Sequence, residues 1–162
     1  MRRGLVAGSY DPLTLGHVNL IERASKLFDE LIILIADNKH KKSLFTVEER
    51  KSLLEESLKG IGNVRIDSFS GLTVDYARLH QVDVMVRGLR SESDFSFEFE
   101  IALNNQWLAP DIETVFLPAD PKYMIVRSSQ IKELAAFGAD FTSLVPAPVA
   151  RALEGKLPEL TL

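Results

Sequence analysis

The stretch Leu5-Val6-Ala7-Gly8-Ser9-Tyr10-Asp11-Pro12-Leu13-Thr14-Leu15-Gly16-His17 decides the fold. A short β-branched run reads as a buried strand, and the Asp-Pro pair reads as a turn. Gly8 permits close approach of backbone and ligand. Gly16-His17 then opens a helix whose apolar face is Val18, Ile21, Ala24 and Phe28. The free N–H groups of that helix start, and the positive end of its dipole, face the loop that follows the strand. A Gly-His pair at a helix start reads first as a structural cap. A small residue, an aromatic, Asp-Pro and then Gly-His, directly after the first strand, reads as a binding loop.

The same alternation continues along the chain. Leu31 to Ala36, Val64-Arg65-Ile66, Val82 to Val86 and Thr114 to Leu117 are further strand-like runs with little polar alternation. Between them Thr46-Val47-Glu48-Glu49 opens a helix with a capping box and carries Leu53, Leu54 and Leu58. Val74 to Leu79 reads as a shorter helix. Ser128-Ser129 reads as the cap of a helix with Ile131, Leu134 and Ala135, and Pro148 to Leu157 as a terminal helix. Strand, helix, strand implies parallel crossovers: an α/β, Rossmann-like single domain over residues 1–162, with a five-stranded parallel sheet flanked by helices. In such a sheet ligands bind beyond the carboxyl ends of the strands, so the loops after strands are where function is expected.

Asp94 to Leu108 alternates aromatic residues as a strand would, but its length and its Glu, Ala, Leu and Gln content favour a helix ended before Pro110. Arg90, Asp94, Glu98, Ile101 and Asn105 then share one side, and Phe95, Phe99, Ala102 and Gln106 a more apolar one. By itself the polar stripe reads as a solvated face.

Composition removes several classes of function. The 162 residues carry 19 Lys and Arg against 23 Asp and Glu, a net charge of −4, which disfavours broad binding to nucleic acid or anionic membrane. There is no cysteine, which excludes disulfides, thiolate metal sites and thiol catalysis. The three histidines are far apart, so no zinc cluster is expected, and His80 reads as a surface residue. No apolar run approaches a membrane span, and the run after Met1-Arg2-Arg3 is too short for a signal peptide, so a cytoplasmic protein is expected.

Four loops after strands carry chemistry. The first holds Ser9 and His17. The second holds Lys39, His40, Lys41 and Lys42, a candidate phosphate clamp that otherwise reads as a solvated basic loop. The third is read as Arg87-Gly88-Leu89-Arg90, where Gly turns the chain and both guanidiniums suit phosphate oxygens. The fourth holds Ser128-Ser129. These groups bind and polarise polyphosphate; none of them is an obvious covalent nucleophile.

Almost end to end the chain resembles the phosphopantetheine adenylyltransferase family. The Gly8-Ser9-Tyr10-Asp11-Pro12 to Gly16-His17 segment is similar to the signature of the wider nucleotidyltransferase superfamily. Lys41-Lys42-Ser43-Leu44-Phe45-Thr46-Val47-Glu48-Glu49-Arg50, Val86-Arg87-Gly88-Leu89-Arg90, Asp94-Phe95, Glu98 and Asn105 are the more specific matches. The resemblance implies adenylyl transfer from ATP to 4′-phosphopantetheine, with Mg²⁺ carried on ATP phosphates, in a homohexamer built as a dimer of trimers. It implies catalytic roles for His17, Lys41 and Arg90. It implies an ATP site from Ser9, Tyr10, His17, Gly88, Leu89, Arg90, Glu98, Tyr123, Val126, Arg127, Ser128 and Ser129. It implies a phosphopantetheine site from Ser9, Lys41, Leu72, Thr73, Arg87 and Asn105. The sequence departs from the family pattern at Arg127, where a first serine is usual, at Ser43, where Pro is frequent, and at Thr73, where an apolar residue is frequent. The competing readings are a related transferase with a nicotinate mononucleotide or glycerol phosphate substrate, a non-catalytic nucleotide-binding module, and an RNA-binding synthetase fragment.

Overall fold

A computed structural model describes residues 1–38 and 42–160. Five strands, β1 (Arg3–Gly8), β2 (Glu30–Ala36), β3 (Val64–Phe69), β4 (Val84–Leu89) and β5 (Glu113–Pro118), form one parallel sheet in the order β3-β2-β1-β4-β5. Six helices connect or follow them: α1 (Leu15–Ser25), α2 (Val47–Ser57), α3 (Thr73–Leu79), α4 (Glu92–Leu108), α5 (Ser128–Ala136) and α6 (Ala147–Leu160). The Rossmann-like α/β fold read from the sequence is the observed one.

The near-continuous apolar strands have the expected consequence. Leu31, Ile33 and Ile35 of β2, with Val6 and Val86, pack into a core with Ile21 of α1, Leu54 of α2, Ile131 of α5 and Leu153 of α6. The alternate residues Ile32 and Leu34, with Leu5 and Met85, pack on the other face with Val74, Tyr76 and Ala77 of α3 and Ala109 beyond α4. Side chains alternate across a strand, so one apolar run feeds two cores.

Strand order reverses between β1 and β4. β1 pairs with β2 along its whole length, Arg3 opposite Glu30 through Gly8 opposite Ile35, but with β4 only at Gly4–Val84 and Leu5–Met85. Beyond Leu5 the ladder stops, which opens a crevice at the carboxyl ends of β1 and β4, where doubly wound sheets take their ligands.

Several details depart from the sequence reading: α1 ends at Ser25, so Phe28, read as part of its apolar face, lies beyond the helix, and β4 starts at Val84 rather than Val82. β4 runs from Val84 to Leu89, so Arg87, Gly88 and Leu89 belong to the strand and only Arg90 to the loop. Gly88 does not turn the chain; a Cβ there would stand 2.8 Å from Cδ2 of Leu20, so it makes room for α1. The N-cap of α5 is Arg127, not Ser128, and it caps without its side chain. Asp94 to Leu108 is helical, as expected, starting at Glu92 with Ser91 accepting from the Asp94 N–H.

Candidate active site

The crevice at the switch point encloses about 410 Å³. From the residues expected to bind nucleotide or act on phosphate it brings together Ser9, Tyr10, His17, Arg87, Gly88, Arg90, Glu98, Tyr123, Val126, Arg127, Ser128 and Ser129. Leu89, opposite Pro118 in the sheet, lines neither this crevice nor the cavity beside it, against its expected place in the ATP site. Lys41, like Lys39 and His40, lies outside the described residues.

His17 owes its geometry to the helix start. Thr14 is the N-cap of α1, and its side chain accepts from the His17 N–H. The ring replies: Nδ1 accepts from the Thr14 backbone N–H at 3.1 Å and lies 2.9 Å from Thr14 Oγ1. An accepting Nδ1 carries no proton in the neutral ring, so the proton is on Nε2, which is left for the crevice. Desolvation, and then the charge of Arg90, hold the His17 pKa down to about 4. His17 is therefore a neutral donor at physiological pH. The side chain that completes the helix cap is also one that lines the crevice.

Tyr10 stands edge-on to this ring, centroids 5.3 Å apart, with φ 49 in the left-handed region. Its hydroxyl donates to the Val6 carbonyl, and burial pushes its pKa up. What Tyr10 gives the crevice is a wall behind His17; its polar end is committed to the strand.

The two arginines at the end of β4 are held by the helix that follows. Arg87 makes a fork to Glu98, Nε to Oε2 at 2.5 Å and Nη2 to Oε1 at 2.9 Å. Arg90 bonds Asp94, Nε to Oδ2 at 2.8 Å, and reaches the Val126 carbonyl. The polar stripe of α4 thus packs against the sheet, contrary to its reading as a solvated face. Phe95, Phe97 and Phe99 are the exposed ones, and no residue of α4 is buried. The charges won the inner side because two guanidiniums at the strand end needed partners; buried or half-buried charges persist only when paired.

Lys132 was not singled out in the sequence. Its ammonium lines the crevice and pairs with Asp11 at 3.0 Å. A basic residue four positions after Ser128 on a helix shares the face of that first turn, which was the available signal. Ser128 donates from Oγ to the Pro12 carbonyl at 2.8 Å, tying α5 to the β1–α1 loop. Arg127 is exposed at the crevice and has no ion-pair partner among the described residues.

A second cavity of about 190 Å³ lies on the other side of Arg87 and is lined by Leu72, Thr73, Ile101 and Asn105 with Ala7 and Val86. The three residues expected at a pantetheine arm, Leu72, Thr73 and Asn105, therefore meet, and Arg87 belongs to both cavities. Its walls are mostly apolar, with a hydroxyl and an amide among them. That is the composition of a site for an apolar arm with polar links.

The cytidylyltransferase-like family model matches residues 5–134. Phosphopantetheine adenylyltransferase of Dictyoglomus thermophilum is 52% identical over 96% of this chain and 95% of its own length. The protein of that name from Shouchella clausii is also 52% identical, over 95% and 97%. The chain belongs to the phosphopantetheine adenylyltransferase family. Thermotoga neapolitana has a third such relative, 49% identical over 94% of each chain. Among solved structures, a candidate nicotinate-nucleotide adenylyltransferase of Vibrio parahaemolyticus superposes with a TM-score of 0.73 over 97% of this chain and 95% of its own. At 19% identity it shares the fold alone. As a member of the family the chain is a nucleotidyltransferase, an enzyme.

Proposed function

We propose that the crevice holds ATP, that the smaller cavity takes the pantetheine arm, and that Arg87 stands where the two phosphate groups meet. The reaction is transfer of the adenylyl group of ATP to 4′-phosphopantetheine, giving 3′-dephospho-CoA and pyrophosphate, in coenzyme A biosynthesis. The observation that carries the site reading is the neutral His17, fixed by Thr14 and offering Nε2–H to a crevice flanked by Arg87 and Arg90.

The chemistry needs no general base. The nucleophile is a phosphate monoester, largely dianionic at neutral pH because its second pKa is about 6. The barrier comes from repulsion between two anions and from charge that grows on the oxygens of the α-phosphorus. A donor aimed there stabilises the transition state without carrying a charge that would hold the ground state equally well. Arg90 and Lys41 would neutralise the phosphates, and in-line positioning of both substrates supplies the rest; orientation can contribute about 7–11 kcal/mol in favourable systems.

Mg²⁺ is proposed to enter on the ATP phosphates and to neutralise the pyrophosphate that leaves. Of the three carboxylates that line the crevice, Asp11 and Glu98 are engaged with Lys132 and Arg87, and Asp120 accepts from the Lys122 N–H, so no set of them converges on a metal. Among the described residues no cluster of His, Asp and Glu could hold a metal.

A homohexamer, a dimer of trimers, is proposed for the assembly. Its support is α4, which leaves Phe95, Phe99, Leu103 and Trp107 exposed, with Phe95 against Phe116 of the edge strand β5. A helix with no buried residue and such an apolar surface calls for cover. No helix among the described residues is long and apolar enough to cross a membrane, and action in the cytoplasm is part of the proposal.

The test is pyrophosphate release from purified protein with ATP and Mg²⁺, with and without 4′-phosphopantetheine. Release that requires both substrates, with dephospho-CoA as product, is expected. Release with a different phosphorylated acceptor, or with CTP only, would overturn the substrate assignment.

A further inference from the structure

Two buried charged side chains have no part in the reaction outlined above: Arg50, 2% exposed, and Asp11, 5% exposed. A charge stays buried only if its partners are complete, and these partners converge on one connection. Arg50 donates from Nη1 to the Ser9 carbonyl at 3.0 Å, from Nε to the Thr46 carbonyl at 3.3 Å and from Nη2 to Asp37 Oδ1 at 3.1 Å. Asp37 directly follows β2, and Thr46 is the N-cap of α2. The guanidinium therefore brackets the entry and the exit of the β2–α2 connection and fastens both to the backbone of Ser9.

Asp11 holds the exit a second time. Its Oδ2 accepts from the Leu44 N–H at 3.0 Å and its Oδ1 from the Phe45 N–H at 2.9 Å. Between the two fastenings lies the basic run that ends at Lys42, and Ser43 beyond it lines the crevice. Neither anchor spends its charge on the opening: one is spent on carbonyls and Asp37, the other on two amides and Lys132.

We propose that Arg50 and Asp11 are positioning residues that pin both ends of the β2–α2 connection to the β1–α1 loop and thereby set where the chain at Lys42 and Ser43 enters the crevice. The catalytic consequence rests on the adenylyl-transfer reading; the pinning does not. A guanidinium reaches three acceptors in one plane, and an ammonium is a single point of charge. Arg50→Lys therefore keeps the charge and loses the bracket.

The experiment uses the full chain and two readouts. The first is limited digestion by trypsin without ligand, followed by mass spectrometry at the Lys42–Ser43 bond. The second is kcat and the KM for ATP, from pyrophosphate release. Arg50→Lys and Asp11→Asn are expected to be cut there about fivefold faster, since cleavage follows the open population. Both are expected to lose about tenfold to a hundredfold in kcat, because small misplacements of a reacting group cost that much, with the Arg50→Lys KM for ATP within about threefold of wild type. Asp37→Asn removes one arm of the bracket at a partly exposed residue, and is expected to move both readouts the same way by about twofold. It decides the matter should the buried variants not fold. Wild-type cleavage rates in folded variants would overturn the proposal, as would faster cleavage with unchanged kcat, or a loss of activity that follows loss of the folded fraction by circular dichroism. Wild-type protein without pyrophosphate release would instead sink the adenylyl-transfer reading, and the digestion would still judge the pinning.

Discussion

The backbone N–H of Thr14 donates to Nδ1 of His17 at 3.1 Å, so the ring that caps α1 also has its tautomer chosen for it. A donor with a fixed direction and no charge is suited to act in the transition state. His17→Ala is expected to lower kcat about 10²–10³-fold, the cost of losing one such donor, and to leave ATP affinity within a few-fold. Calorimetry of ATP binding beside steady-state rates checks this. Equal losses in binding and turnover would remove the transition-state role.

The protonation of His17 is separately measurable. With its pKa near 4 in the fold and about 6.5 in the unfolded chain, the unfolded state binds more protons between these values. Stability contributed by the neutral ring is complete above about pH 6.5 and is lost as the pH falls toward 4. Ring nitrogen NMR is expected to show the Nε2–H neutral form throughout pH 6–8. A titration centred near 6.5 would contradict it.

Much of this site was legible because its residues are local. Gly8 through His17 read as strand, turn and helix start from neighbours a few positions apart, and the structure agrees. The Thr46 capping box, with Glu49 accepting from the Thr46 N–H, is another local device read correctly. What escaped was held together over distance. Asp11 reaches residues 33, 34 and 121 positions away, and Arg50 reaches Ser9 over 41. Asp-Pro read only as a turn because its carboxylate's partners are backbone amides of another loop. Arg87 and Gly88 read as a loop because Gly is a poor strand residue and an unpaired guanidinium is seldom buried in a sheet. Here Glu98 and Leu20 make a place for them in β4. The inner side of α4 was misjudged for the same reason: the stripe's partners are not on the helix.

Arg87 joins the two cavities through a planar fork, which Lys cannot copy. Arg87→Lys is expected to raise the KM for 4′-phosphopantetheine about tenfold or more, and to change the KM for ATP much less. Varying each substrate at saturation of the other separates the two. A larger effect on the KM for ATP than on that for 4′-phosphopantetheine would place Arg87 on the ATP side instead.

Gly88→Ala tests the packing of β4 on α1. Its Cβ would meet the end of the Leu20 side chain at 2.8 Å, a contact that Leu20 relieves by changing rotamer. Overpacking of this kind costs about 1–3 kcal/mol, and a flexible neighbour places it at the low end. Chemical denaturation is expected to show that loss, and the added change Leu20→Ala to recover part of the overpacking component. A Gly88→Ala protein as stable as wild type would mean that β4 and α1 are further apart than described.

Exposure of α4 makes the assembly testable without any ligand. Phe95 and Phe99 stack with centroids 5.5 Å apart, and Phe95 also meets Phe116 of β5, yet both phenylalanines of the helix keep more than 40% of their surface open. Trp107 keeps 83%. Covering such aromatic surface is worth about 25 cal/mol per Å² of apolar area, and a charge placed in it would remain buried without a partner. Light scattering on wild type is expected to give six times the 18.1 kDa chain mass. Phe99→Glu and Trp107→Glu are expected to lower that mass while circular dichroism stays unchanged. The Arg87–Glu98 and Arg90–Asp94 pairs lie on the inner side of the same helix, so the separated chains should still bind ATP. A wild-type protein that is monomeric at all concentrations would refute the hexamer and leave the aromatic face of α4 to another partner.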